Sequence, residues 1–348
     1  MVLEVTQYGG IFAKIKALNK NLLTYGDYYE LASQKDIKSF SDVLFSNDRM
    51  IEYTRDMQKV VEVGRVTLEK SITSTIYDNF NGIYSFVTDV KIKKYLKAVN
   101  LKYRVGLVKG MLRSLYDERI DEIHIPKNIH FLNTNDSDSY GKLMSVKNFA
   151  EFLDALRNTE FHGVLSSIKN MSPSLYELES QLDNFFYSEI LKCQNKYLNK
   201  KDRQAQEALN GSDIDIHNIL YIYRIKKHYN NIEAVYPCLI PIHYKLNRET
   251  VSELIKSSSE GDFRDIILKS VYRDVFNRFS FSESAYFKYM YKLNTELEKE
   301  SPYSLQLITS YMFKKGQEVR NLITLIECVR YGLRAEESIK KLNILGYG

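Results

Sequence analysis

Apolar residues recur at three- and four-residue steps along most of the chain, the period of helices that bury one face. Near the C-terminal end Val319, Leu322, Leu325/Ile326, Val329 and Leu333 keep that step. Ser301 before Pro302 predicts the start of a helix there, because the N–H that proline lacks has no partner at the first helical position anyway. Glu327 and Arg330, three apart, fall on the wet side, where such a pair contributes about 0.2–0.5 kcal/mol. Glu318 reads as a helix-start charge and Asn321 as a helix-packing hydrogen bond. The pattern predicts an all-α protein.

The helices group into three versions of one unit: an opening helix, a loop, a short helix ending in leucine, and a long closing helix. The first opens on Tyr8–Leu18, buries Ile11, Ile15, Leu18 and Leu22, and has its short helix at Phe40–Leu44. A long helix is expected from Arg49 through Met50, Met57, Val60/Val61 and Leu68, and another over 78–97. The second opens with Leu101, Val105, Val108, Leu112 and Leu115 on one face, followed by a polar loop at 133–139 and the short helix Phe149–Leu156. Its closing helix is expected from Ser172-Pro173, with Leu175, Leu178, Leu182, Phe186 and Ile190 as the stripe.

The third opens at Asp215, after a Lys/Arg/Gln-rich linker expected over 200–212, and its short helix runs Phe263–Leu268. Ser280-x-x-Glu283 reads as a capping box for a helix carrying Tyr286, Tyr289, Leu293 and Leu297. Leu44, Leu156 and Leu268 stand at successive steps of 112 residues. Units this small share core with their neighbours. The expected division is therefore lobe 1 over 1–100, lobe 2 over 101–212, lobe 3 over 213–300, and C-terminal helices over 301–348 closing onto lobe 1. Three similar helical-bundle lobes can form a funnel about a pseudo-threefold axis.

Composition narrows the class. The chain has 348 residues, 44% hydrophobic and 27% charged, with only 5 prolines and 15 glycines, which suits long helices. A net charge of +5 is too mild for a dedicated duplex-binding domain. Three cysteines, Cys193, Cys238 and Cys328, lack framework spacing and fit reduced thiols. The N-terminus has no basic region followed by an apolar run, so no signal peptide is expected. No run approaches the ~20 apolar residues that span a bilayer.

No motif of reactive chemistry stands out. Gly141-Lys142 lacks the rest of a phosphate loop, and no His-Glu-x-x-His, Cys-x-x-Cys pair or Gly-x-Ser-x-Gly occurs. His124 and His130 flank Pro126 and read as solvated loop residues. His217 and His228 lie on one predicted helix about three turns apart, too far to share an ion, and His162 has no evident partner. Cys328 falls in the C-terminal stripe as a small buried hydrophobe. The acid pairs Glu336-Glu337 and Asp213/Asp215 read as helix-end charges. The basic runs are Lys91–Lys94, Lys200–Arg203 and Arg224–Lys227. They read as solvated faces, or as a rim for an acidic partner or lipid headgroups. No catalytic, cofactor-binding or metal residue is assigned, and binding residues are unknown.

Three stretches carry a resemblance. Tyr8–Leu18 with Leu22-Leu23 and Tyr28, the helix Leu175–Phe186, and above all Tyr311 to Leu322 with Lys314-Lys315, Glu318 and Arg320-Asn321 resemble the C/d family of V-type (V/A-type) ATPase central-stalk subunits. The likeness extends by pattern over nearly the whole chain. Two departures are Gly316, where a helix former is usual, and Leu239–His243, where a Pro-Gly-Gly turn is typical.

The resemblance implies an all-α funnel of three lobes without catalysis or cofactor. It implies seating on the cytoplasmic face of the membrane as a peripheral part of the complex, on the rotor ring of proteolipid subunits, with the D and F axle subunits in its cavity. It implies torque transfer for proton or sodium transport, with no nucleic acid and no direct membrane span. The alternatives are a helical-repeat scaffold for RNA or acidic proteins, whose binding would fall steeply with salt, and a helical enzyme, which needs converging ionisable side chains in a cleft.

Overall fold

The computed structural model describes residues 2–57, 63–117, 143, 146–168, 174–229, 235–276 and 281–344. Every helix named here is α-helical or 3₁₀, and the described residues contain no strand. The chain forms two compact units. One comprises the described residues up to Val90 and from Glu298 onward, the other those from Lys91 to Leu297.

The first unit contains α1 (Val2–Lys20), α2 (Tyr25–Ala32), α3 (Ile37–Ser46), α4 (Arg65–Phe86) and the C-terminal part of the chain. α2 opens on a capping box in which Thr24 Oγ1 accepts from the Asp27 N–H while Asp27 accepts from the Thr24 N–H. Two 3₁₀ turns, Ile51–Tyr53 and Arg55–Met57, stand in place of the helix expected from Arg49, and α4 begins only after Gly64. The turns bury Met50 and Tyr53 fully and set Glu52 beside Tyr53. α4 carries Leu68, Ile72, Ile76, Phe80 and Ile83 into the core. It stops at extended Val87, so the expected helix over 78–97 is two helices.

Against α4 lies a helix of 26 residues, Leu305–Arg330. Its cap is Ser304, whose Oγ accepts from the Gln306 N–H, rather than Ser301. The segment Ser301-Pro302-Tyr303 is instead the break after the preceding helix. The stripe Val319, Leu322, Leu325/Ile326 and Val329 is buried as predicted, Leu333 is half-buried, and Cys328 packs as a buried hydrophobe. Each such apolar side chain contributes about 1.5–3 kcal/mol when fully buried. The helix ends in a Schellman motif: Leu333 N–H donates to Cys328 O and Gly332 N–H to Val329 O, each at 3.0 Å. Gly332 supplies the positive φ of 66° that this motif needs. A short helix, Ala335–Ile339, packs on α2.

The second unit contains most of α5 (Val90–Tyr116), then α6 (Phe149–Ala155), α7 (Glu160–Ser166), α8 (Leu175–Tyr197), α9 (Lys200–Tyr229), α10 (Arg248–Lys256), α11 (Glu260–Lys269), α12 (Arg273–Phe276) and most of α13 (Glu283–Glu300). The two C-terminal helices are thus α14 (Leu305–Arg330) and α15 (Ala335–Ile339). The stripe from Leu101 to Leu115 is buried, and so are Leu178, Leu182, Phe186 and Ile190 of α8, which Ser174 caps.

The expected linker at 200–212 is the first half of α9. Its Lys, Arg, Gln, Glu, Ala and Leu are all strong helix formers, and Asn199 caps it by accepting from the Asp202 N–H at 2.9 Å. The boundary expected at 212/213 falls inside this helix. Gly211 is required there, because a Cβ would stand 2.3 Å from Tyr244 Cγ.

The short helices align on their caps and phenylalanines rather than on the leucines. Asp36, Asn148 and Ser259 cap them, and Phe40, Phe152 and Phe263 are buried, so Ile267 and not Leu268 is the buried partner of Leu44 and Leu156. In α13 the fully buried positions are Ala285, Phe287, Met290 and Asn294, while the expected Tyr286, Tyr289, Leu293 and Leu297 are half-buried. Tyrosine and leucine at those flanking positions keep one edge toward water, which moves the core-facing stripe over by one residue. Val60/Val61, the polar loop at 133–139, Gly141-Lys142, Ser172-Pro173 and Ser280 lie outside the described residues.

Candidate functional site

The most developed polar assembly of the first unit is buried where α14 meets α4 and the 3₁₀ turns. Lys315, in the middle of α14, has 0% of its side chain exposed. Its ammonium donates to Glu52 Oε1 at 2.6 Å, Tyr53 Oη at 2.8 Å and Glu318 Oε1 at 2.9 Å. Three donors meet three acceptors, so the cation is saturated. It also lies 4.3 Å from the centroid of the Tyr53 ring, which adds a cation–π attraction.

Glu318 also accepts the Tyr53 hydroxyl on Oε1, the oxygen that Lys315 binds, and the Leu23 N–H on Oε2 at 2.5 Å. The chain of bonds continues through Glu52, which accepts from Asn79 Nδ2 at 3.1 Å, to Asn79 Oδ1, which accepts from the Tyr311 hydroxyl at 3.0 Å. Burial, then the charges of Glu318 and Glu52, hold the Tyr53 hydroxyl far above its usual pKa. Burial and Glu318 do the same to Tyr28, against the lowering effect of a hydrogen bond with Asn321. These tyrosines stay protonated donors. Such a network holds elements in place, because a buried charge is tolerated only when its partners are fixed.

Glu318 is therefore not a helix-start charge. Its helix begins at Leu305, and burial makes it the hub of the network. Asn321 does make a packing hydrogen bond, to the Asn343 backbone. Glu327 and Arg330 pair at 3.3 Å on the exposed side.

In the second unit Asp213 and Asp215 are likewise not helix-end charges but buried residues in the middle of α9. Asp213 accepts from Lys102 Nζ at 3.0 Å and the Tyr286 hydroxyl at 2.7 Å. Burial raises the Asp213 carboxyl, Lys102 and Tyr286 outweigh it, and its pKa ends below the ordinary value. Asp215 accepts N–H groups from Tyr244 (3.1 Å), Lys245 (2.7 Å) and Leu246 (2.8 Å) and the Tyr272 hydroxyl (2.7 Å). Glu336 and Glu337 do sit in the first turn of α15, bonded to Tyr29 and Arg334.

His217 stacks on Tyr221 and stands 3.7 Å from Asp183. His124, His130 and the His228 side chain lie outside the described residues. Among the described residues no group of histidine, cysteine and acidic side chains could hold a metal. The basic runs are partly absorbed by the fold. Lys226 Nζ donates to the Ile255 and Ser257 carbonyls at the end of α10, Arg224 pairs with Glu283 at 2.9 Å, and Lys94 lies over the Tyr197 ring.

The run Tyr311–Leu322, on which the sequence resemblance chiefly rests, thus supplies Tyr311, Lys315 and Glu318 to one buried network, and Asn321 to a separate grip on Asn343. A profile of the ATP synthase (C/AC39) subunit family matches residues 11–341. The chain belongs to that family. Its relatives include the A-type ATP synthase C subunit of Archaeoglobus fulgidus, 24% identical with 96% of each chain covered. The C subunit of Pyrococcus abyssi is 22% identical over 97% of this chain and 90% of its own. That of Methanobrevibacter smithii is 20% identical over 82% and 78%. In this member of the ATP synthase (C/AC39) subunit family, sequence reasoning missed Glu52, Tyr53 and Asn79, which join the network only through the fold. No local pattern marks those three; the acid followed three residues later by asparagine, in both α9 and α14, marks only Asp215/Asn218 and Glu318/Asn321.

Proposed function

We propose that this chain is the non-catalytic central-stalk subunit of a V/A-type rotary ATPase. It joins the D and F axle subunits to the proteolipid ring of the membrane and passes torque between ATP chemistry and proton or sodium transport. The observation that carries this reading is the family match across residues 11–341, with relatives named as A-type ATP synthase C subunits. Close-packed helices pinned by buried charges such as Lys315 suit the task, since such interiors deform little and transmit strain.

No helix of the described residues is long and apolar enough to cross a membrane. The reading therefore places the subunit peripherally, on the cytoplasmic face of the ring, attached through its partners. It needs no cofactor.

The test is reconstitution. Purified axle subunits and detergent-solubilised ring are mixed with and without this chain and separated by size. The axle should migrate with the ring only when the chain is present. In complete complexes lacking the chain, ATP hydrolysis should persist while ion pumping is lost. An axle that binds the ring and pumps without it, or a chain that migrates with neither, overturns the proposal.

A further inference from the structure

Two helices carry the same pair of polar residues, an acid and, three positions on, an asparagine. On α9 they are Asp215 and Asn218; on α14 they are Glu318 and Asn321. In the second unit both act on one continuous loop. Asn218 grips Ile240 in both directions, Nδ2 donating to its carbonyl and its N–H donating to Oδ1, each at 3.0 Å. Asp215 takes the N–H of Leu246, the residue just before Asn247, which caps α10.

In the first unit the same grip falls on two separate pieces of chain. Asn321 grips Asn343 in both directions, at 3.0 and 3.1 Å. Glu318 takes the N–H of Leu23, the residue just before Thr24, which caps α2. A buried tyrosine hydroxyl completes each carboxylate, Tyr272 in one unit and Tyr53 in the other. Asn343 thus stands where Ile240 stands, and Leu23 where Leu246 stands. What is one loop in the second unit is, in the first, a segment from each end of the chain.

We propose that α14 is a latch: Glu318 and Asn321 together hold the segment at Leu23 and the segment at Asn343, and the two open as one when the latch is released. The Asp215 grip closes over a sequence separation of 31 residues, whereas the Glu318 grip closes over 295. The longer closure costs more chain entropy. The first unit meets it with charge-assisted bonds from Lys315, which the second lacks at Asp215. A further contact ties the held segments together: the Tyr29 hydroxyl of α2 donates to Glu336 of α15 at 3.0 Å.

Hydrogen exchange read by mass spectrometry on the full chain tests this. Glu318→Gln keeps the shape and removes the charge, so amides of α2 and of the α15 segment should both exchange about tenfold faster. The loop at 240–246 should keep its wild-type rate. Asp215→Asn should do the reverse, speeding only 240–246. Asn321→Ala leaves every charge paired and serves if the first variant does not fold, with joint acceleration of α2 and α15 again expected. Acceleration confined to one of the two segments, or to the turn of α14 around the substitution, overturns the latch, as do wild-type rates in both α14 variants.

Discussion

Asp215 and Glu318 are both buried carboxylates on long helices, each taking a backbone N–H and a tyrosine hydroxyl, and they differ in what completes them. Asp215 is surrounded by neutral donors, three consecutive backbone N–H groups and a tyrosine hydroxyl. Glu318 relies on a cation, Lys315, itself shared with Glu52. A nearby loop can wrap a carboxylate with its own amides, because its residues follow one another in sequence. Elements drawn from distant parts of the chain offer few consecutive amides, so a side-chain charge must supply the compensation. In this chain the closure made within one loop rests on consecutive backbone amides, and the one made across 295 residues adds an ion pair.

Breaking the ionic side of this contrast should cost most. Lys315→Met leaves Glu52 and Glu318 facing each other without their cation, at a cost of about 3–5 kcal/mol. It should be visible as a large drop in the urea midpoint followed by circular dichroism. A loss below about 1 kcal/mol would mean that the ion pairs do not hold the first unit.

On the neutral side, Asp215→Ala strands the three N–H groups of residues 244–246 and should cost about 2–3 kcal/mol. Asp215→Asn, which keeps an acceptor, should cost less, and equal losses for the two would show that charge rather than hydrogen bonding matters there. Gly211→Ala drives a Cβ into the Tyr244 ring and should cost about 1–3 kcal/mol. Tyr244→Ala in the same chain should relieve most of the clash; additive losses would remove the steric explanation.

Acid gives the smallest and most graded comparison. In the first unit burial raises the Glu298 carboxyl, but hydrogen bonds from Lys314 Nζ at 2.8 Å and Ser310 Oγ at 2.6 Å prevail and lower it below 4.5. In the second unit Asp213 is lowered below 3.8. A carboxylate depressed by folding adds stability that is complete above its unfolded pKa and disappears as pH falls through the folded value. Opening of the first unit, read as exchange corrected for the intrinsic amide rate at each pH, should therefore become more frequent as pH drops below 4.5, and of the second only below 3.8. Lys314→Met should remove the first dependence and Lys102→Met the second. A profile unchanged by either variant would detach these pairs from the acid response.

Much of this is legible in the chain. The periodicity of Val319 to Val329 and of Leu101 to Leu115 needs nothing beyond the helix repeat, and those faces are buried. Helix ends are harder, because several serines compete for each cap. Ser304 prevails over Ser301, which stands before a proline, because it is the Ser304 hydroxyl that reaches the Gln306 N–H. The charge and glycine of 200–212 suggest a linker, although its remaining residues favour helix and its glycine answers to a ring packed against it.

The all-helical class, the apolar faces and the family follow from the order of residues alone, since all three depend on residues near one another in the chain. That Lys315 is buried, that Glu318 holds Leu23, and that Glu52, Tyr53 and Asn79 complete the circuit follows only from how the helices pack. Helical period fixes which face is apolar. It says nothing about which polar groups from far along the chain will be shut away from water together, and those must pair with one another.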